Sequence, residues 1–321
     1  MSAENRKLTR GKKQILVIGV LAVLFVVINI FENGRLLTVN NLKTIFVHSI
    51  FYALTAWGLC FIFTTGLADL SIGAIILLAA NVGAQLSEEM GLGYAGMIVG
   101  SVAVALICEH LCTRCSISLG IPSWISGLGC ALIFEAVLSI WANINNAQGK
   151  QLPHIRNFKA LGQFRAMTVL WIIGFIACYL MFNRTTIGMN LRAIGARPDV
   201  AEAMGINRKK TIFICTAIGA VFIGFASAVQ ISYAGFLNAK TGLTSLASIF
   251  RALAALLLAQ SFEDTFSMPV GIAISSFVVM SIFNILTIMG VPSGTGQEIC
   301  LGVIVVLCGV LSHLHYKGVV K

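Results

Sequence analysis

Ten apolar runs, each near the length of a membrane crossing, set the terms for this chain. They fall at 13–31, 43–65, 70–86, 93–112, 122–142, 166–183, 211–233, 245–261, 266–289 and 296–315. A helix crosses the roughly 30 Å hydrocarbon layer with about 20 apolar residues and satisfies its backbone polar groups within its own segment. The expected fold is an all-α integral membrane protein of about ten transmembrane helices, with 70–86 and 245–261 short for a crossing. Only 11% of the residues are charged and 58% are hydrophobic, whereas a soluble domain carries about 25% charge. No proline- or serine-rich linker divides the chain, so residues 1–321 read as a single transmembrane domain.

The run at 13–31 follows Arg6, Lys7, Arg10, Lys12 and Lys13. It is longer than the apolar core of a signal peptide and ends at Asn29-Ile30-Phe31-Glu32 without a small-residue cleavage pattern, so it reads as a retained first span. Placing the N-terminus inside puts fourteen basic residues on the inner side, with Arg114 in an inner loop, against seven outside. That bias is the one expected of cytoplasmic loops. Both termini are then cytosolic and 1–12 is a basic cytosolic tail. The net charge of +10 follows from this topology and gives no reason to invoke nucleic acid.

The longest interruption is 184–210, RTTIGMNLRAIGARPDVAEAMGINRKK, with six basic and two acidic residues. A short helix is expected in its middle. Pro198 suits a first helical position, Asp199 and Glu202 favour the positive helix start, and Gly205 suits the stop. Two turns are not stable alone. Such a helix, held between two spans on the cytosolic side, has the shape of a plug for a groove in another protein.

Spans two to five and seven to ten form two antiparallel sets of four, each preceded by an extra span. Inverted repeats of this kind place a solute path at the interface between halves, beside broken helices. The strongest candidate for a break is Gly66-Leu67-Ala68-Asp69-Leu70-Ser71-Ile72-Gly73, while Tyr233-Ala234-Gly235 and Lys240-Thr241-Gly242 mark an outer turn. Asp69, Glu109, His110, Glu135, Arg251 and Glu298 are ionisable groups within apolar runs, where such groups face the bundle interior or a cavity. Glu109, His110 and Arg251 read as lying near span ends or in short spans, Glu135 as mid-span, and Asp69 also as a cap for the short third helix. The outer loop 143–165 holds Lys150, His154, Arg156, Lys159 and Arg165 and no acid. It reads either as a solvated loop or as a dock for an acidic surface.

Nine cysteines are scattered through or beside the runs, and the one close pair, Cys112 and Cys115, lacks the second pair a zinc site needs. They read as small buried apolar residues, and no metal ligands are assigned. No G-x-x-x-x-G-K-[ST], HExxH or G-x-S-x-G pattern occurs. The chain therefore has no phosphate loop of its own and no catalytic residues are expected.

Thr186-Ile187-Gly188, Arg192-Ala193-Ile194-Gly195, Pro198-Asp199, Ala201 and Gly205-Ile206, with the earlier Asp69-Leu70-Ser71-Ile72-Gly73, resemble motifs of permease subunits of ribose-type ABC importers. That branch also resembles branched-chain amino-acid and nucleoside permeases. Phe283-Asn284-Ile285-Leu286 and Gln297 to Gly302 are similar to its last two spans, so the resemblance runs from about 45 to 310. It implies a bacterial cytoplasmic-membrane permease paired with a second permease subunit, cytosolic ABC ATPases and an external substrate-binding protein. ATP and Mg would be bound by the ATPase, with no cofactor in this chain. By the same resemblance Arg192, Gly195, Asp199, Ala201, Glu202, Gly205 and Ile206 fall in the ATPase-coupling segment.

The chain departs from the family's pattern at Ala259-Gln260-Ser261 and Phe262-Glu263-Asp264-Thr265-Phe266, where glycine pairs are usual, and at Arg197, where asparagine is usual. These departures suggest a divergent substrate or a non-identical permease partner. Asp69, Ser71, Asn81, Glu135, Gln230 and Asn284 are the candidate path residues, able to pair with a hydroxylated solute. The expected function is import of a small sugar or related solute by alternating access. The alternative is a proton-coupled secondary transporter using Glu135 and Asp69.

Overall fold

The computed structural model describes Gly19, Val23, Phe25, Val26, Asn29 and residues 34–315 apart from Ser293. The basic tail 1–12, most of the first expected span at 13–31 and the C-terminal residues 316–321 lie outside the described residues. Among the described residues every regular element is helical: α1 Val39–Thr64, α2 Ile72–Ala84, α3 Gly93–Leu119, α4 Ser123–Ala147, α5 Phe164–Arg184, α6 Thr186–Ala196, α7 Pro198–Ala203, α8 Arg208–Ala234, α9 Ala247–Ser261, α10 Met268–Ile288 and α11 Thr295–His315. Among the described residues seven helices are long and apolar enough to cross a membrane: α1, α3, α4, α5, α8, α10 and the run Thr244–Ser261 that contains α9. The short α2 is prolonged by a π-helical turn at Gln85–Glu89, and α11 carries the shorter apolar stretch Gly296–Val310.

Helix ends follow local chemistry. The Thr38 hydroxyl accepts from the Asn41 N–H at the start of α1, and the Asn207 side chain accepts from the Lys210 N–H at the start of α8. Both satisfy amides that a helix start leaves open. At its other end α8 stops where Gly235 turns left-handed at φ 79°.

The centre of the bundle is the crossing of α1 and α8. A Cβ on Gly58 would lie 2.8 Å from the Gly219 carbonyl oxygen, and one on Gly219 would lie 2.8 Å from that of Gly58. Without a hydrophobic drive between helices in lipid, such small-residue contacts let packing hold the bundle together. Trp57, Phe61 and Phe222 fill the space beside the crossing, with the Phe61 and Phe222 rings stacked at 6.1 Å. Around this axis the contacts repeat: α2 and α3 pack on each other and on α8, while α9 and α10 pack on each other and on α1.

Two expectations are corrected. Helix α3 continues to Leu119, so Arg114 lies in a helix and the turn falls at Gly120, whose φ is +64°. The polar residues that end the apolar run are buried by neighbouring helices: Thr113 and Ser116 face inward, and Ser116 bonds Ser126 of α4. Glu109 is consequently far from the helix end and 1% exposed, whereas His110 is exposed beside Phe213.

The second correction concerns 235–246, which is more than an outer turn. After Gly235 the chain runs back into the bundle: the Leu237 carbonyl accepts from Asn81 of α2, and Ser245 lies against Gly73. A Cβ at Gly73 would collide with the Ser245 carbonyl, so the close approach requires glycine there.

Candidate functional site

The 184–210 segment is more helical than its sequence suggests. The Thr185 hydroxyl accepts from the Gly188 N–H and starts α6 directly after α5, a turn so tight that a Cβ on Gly188 would strike the Phe182 carbonyl. Leu191 and Ile194 are buried, and Gly195 lies against the end of α1, where a Cβ would come 2.6 Å from the Thr64 carbonyl oxygen. Arg192 bonds the Gly188 carbonyl through Nε at 3.2 Å and lies over the Phe182 ring.

Arg197 bridges to α7 in extended geometry, and Pro198 occupies the first turn with Asp199 beside it. Ala201 is buried, whereas Asp199, Glu202 and Gly205 are exposed and Ile206 is half-buried. The Gly205 N–H bonds the Glu202 carbonyl and the Ile206 N–H that of Ala201. Gly205 has φ +85° with open space around it. Large apolar side chains project from this segment: Val200 is 46% exposed and Met204 76%. A cleft of about 610 Å³ lies beside it, lined in part by Thr64, Arg192, Gly195, Arg208, Gln260 and Glu263. Glu263 and Arg192 line this cleft together.

The candidate path residues do not form one site. Asp69 accepts the Ser71 N–H at 2.7 Å, and Ser71 Oγ lies 3.3 Å from Cys112 Sγ. The residue preceding α2 is Ser71, which makes no side-chain cap, so Asp69 holds the turn before the helix and is not its N-cap. That turn packs on α4, where the Ala68 N–H bonds Ser123 Oγ and a Cβ on Gly127 would lie 2.7 Å from the Leu70 nitrogen.

Glu135 is 2% exposed and accepts the N–H groups of Leu243 and Ser245, both at 2.8 Å. Leu243 has φ 65°, an uncommon backbone state for a side-chain-bearing residue. The carboxylate therefore fixes the run from 235 into α9. Asn81 donates to the Leu77 and Leu237 carbonyls. Asn284 exchanges hydrogen bonds with Asn41 at 2.9 Å, which joins α10 to the start of α1. Gln230 lines a partly open cavity of about 270 Å³ shared with His48, Tyr52, Tyr233 and Arg251.

Sequence reasoning missed Glu88. Its carboxylate accepts the backbone N–H groups of Arg156, Asn157 and Phe158 at 2.7, 2.6 and 3.3 Å, and Oε2 accepts the Asn157 amide at 3.1 Å. Partial burial raises this carboxyl, but the four donors outweigh it and hold it below the usual carboxylate range. The basic loop is thus fastened to the end of α2 by an acid outside the loop. Among the described residues no group of His, Cys, Asp and Glu could hold a metal ion.

A bundle of membrane-length helices with an inward-running break and a polar helical segment seated on one end is the architecture of a multi-span helical membrane protein. The chain belongs to the family described as branched-chain amino acid transport system / permease component, whose model matches residues 41–308. The galactose/methyl galactoside import permease protein MglC of Escherichia coli is 26% identical over 98% of this chain and 99% of its own length. The D-allose transport system permease protein AlsC of Escherichia coli is 25% identical over 70% of this chain and 69% of its own length. The ribose import permease protein RbsC of Escherichia coli is 23% identical over 61% and 62%. No solved structure matches the chain significantly.

Proposed function

We propose that this chain is the membrane-spanning subunit of an ATP-driven, binding-protein-dependent importer that carries a small sugar or related hydroxylated solute across a bacterial cytoplasmic membrane. The relatives named for galactose, allose and ribose transport support the solute class. The observation that carries the reading is the seating of α6 and α7. Gly195 rests on the end of α1, so force on α6 passes into the central crossing, while Val200 and Met204 stand free to enter a partner's groove.

In this reading 184–210 faces the cytosol, as do both termini, and α7 couples to an ATPase subunit that binds ATP and Mg. Asp199 and Glu202 meet basic groups on that partner. A second permease subunit completes the path, and the loop 143–165 receives the external binding protein. The repeated contacts of α2–α3 on α8 and α9–α10 on α1 support two inverted halves. ATP-driven closure of the ATPases then moves α7 and switches access from one side to the other as a rigid-body change. A proton-coupled carrier working through Glu135 and Asp69 gains no support, because both carboxylates accept backbone N–H groups and hold turns.

The test is uptake into proteoliposomes holding the chain and its ATPase, with sugar-loaded binding protein outside. Accumulation should require ATP and be indifferent to a proton gradient. Accumulation driven by a proton gradient with no ATPase present would overturn the reading.

A further inference from the structure

The cavity of about 270 Å³ is walled by α1, α5, α8, α9 and α10, in the half of the bundle away from α6 and α7. Arg251 of α9 enters it. Its Nη1 donates to the Tyr52 hydroxyl at 2.9 Å, and the guanidinium lies over the Phe283 ring at 4.6 Å and the Tyr52 ring at 5.8 Å. Arg251 Nε is buried with no partner, and so is Gln230 Oε1 on the α8 wall. His48 Nε2 and the Tyr233 hydroxyl are joined at 2.8 Å on the same lining. No carboxylate is among the described residues that line this space.

These observations carry a specific chemistry. Aromatic faces attract a guanidinium but do not accept its in-plane N–H groups. A charged group inside a membrane protein is normally matched by an opposite charge or carbonyls, and Arg presents a planar edge suited to a carboxylate. An unpartnered amide oxygen on a residue of the same lining asks for a hydroxyl donor. The volume lies just under the lower end of usual small-molecule pockets, about 300 Å³, and suits a single sugar ring.

We infer that this cavity is a solute station in which Arg251 takes a carboxylate and Gln230 a hydroxyl, so that the solute is a monosaccharide acid of the uronate or aldonate kind. The inference rests on the importer reading and narrows its solute class. Tyr52 holds the guanidinium in place, and the His48–Tyr233 pair offers a second hydroxyl contact. The Tyr52 and Phe283 rings beside the guanidinium offset part of the cost of burying its charge.

The test is equilibrium binding of labelled D-galacturonate and D-galactose to the full-length chain in lipid nanodiscs, without binding protein or ATP. Galacturonate should bind about tenfold or more tightly than galactose, the difference expected of a charge-assisted hydrogen bond. Arg251→Gln should abolish the preference, and Arg251→Lys should restore part of it. Gln230→Leu should weaken both sugars, and Trp fluorescence and elution volume report whether each variant is folded. Equal binding of the two sugars, no binding of either, or a preference that survives in a folded Arg251→Gln protein would overturn the inference. The outcome is separable from the importer reading: ATP-dependent uptake of a neutral sugar that Arg251→Gln leaves intact sinks only the station. Arg251-dependent galacturonate binding in a chain whose uptake ignores ATP sinks only the importer.

Discussion

Gly195 of α6 lies so close to Thr64 at the end of α1 that a Cβ would stand 2.6 Å from the Thr64 carbonyl oxygen. That oxygen belongs to backbone and cannot swing away. Gly195→Val should therefore lift α6 from its seat and break the link between the projecting segment and the bundle. ATP-driven uptake is expected to fall about fivefold or more, the lower range of coupling energies. ATP hydrolysis by the partner and membrane insertion should persist. Uptake at the native rate, with the variant inserted, would show that the contact transmits nothing.

Gly205 presents a different constraint. Its surroundings are open, but φ is +85°, so a side chain meets backbone strain and not a neighbour. A β-branched residue there should cost about 1–2 kcal/mol locally and shift the end of α7. Asn enters the left-handed region more readily. The ratio of solute transported to ATP hydrolysed should fall for Gly205→Val and stay near native for Gly205→Asn. Equal effects from both would point to steric contact with the partner and away from strain.

Glu135 predicts a loss of stability with little change in solute affinity. Glu135→Gln replaces one acceptor oxygen by an NH₂ group that faces the N–H of Leu243 or Ser245. A buried donor left unsatisfied costs about 1–3 kcal/mol. The melting temperature in detergent should drop while KM for uptake stays unchanged, and ATP-driven transport continues. A changed KM at native stability would return Glu135 to the solute path.

Glu88 gives a pH dependence. The folded carboxyl titrates below its ordinary value of 4.5 because of the N–H groups it accepts. Its contribution is fully present above that value and is lost as pH falls through the lower folded one. Hydrogen exchange at Arg156, Asn157 and Phe158 should be slow at neutral pH and accelerate only in acid below the ordinary carboxylate range. In Glu88→Ala, which removes the acceptor oxygen shared by the three amides, they should exchange quickly at every pH. Protection that is indifferent to both acid and substitution would mean another group holds the loop.

What the sequence disclosed depended on how local the cause was. Pro198 and Gly205 bracket α7 through their own backbone preferences, so that helix was legible from six residues. Helix α6 was not, because its start depends on Gly188 fitting under Phe182 and its face on the end of α1. An apolar window ended α3 at Cys112, since Thr113 and Ser116 are polar; only their burial against other helices carries the helix on to Leu119. Glu135 was visible as a charge in mid-span, yet its partners are 108 and 110 residues away. Gln230 was a candidate and Arg251 was noticed, but a shared cavity between two different helices leaves no trace in spacing. Fold class and the short helix after Pro198 were therefore readable, whereas the interior contacts had to be seen.

The run from Gly235 to Ser245 has a consequence for the surroundings of the molecule. Glu135, at the midpoint of α4, grips this run, yet Thr241, Gly242 and Thr244 are exposed beside the grip. Non-helical main chain at that depth is not tolerated against hydrocarbon, only against protein or water. One meridian of the bundle is thus barred to acyl chains, and the annulus of lipid around it must be incomplete.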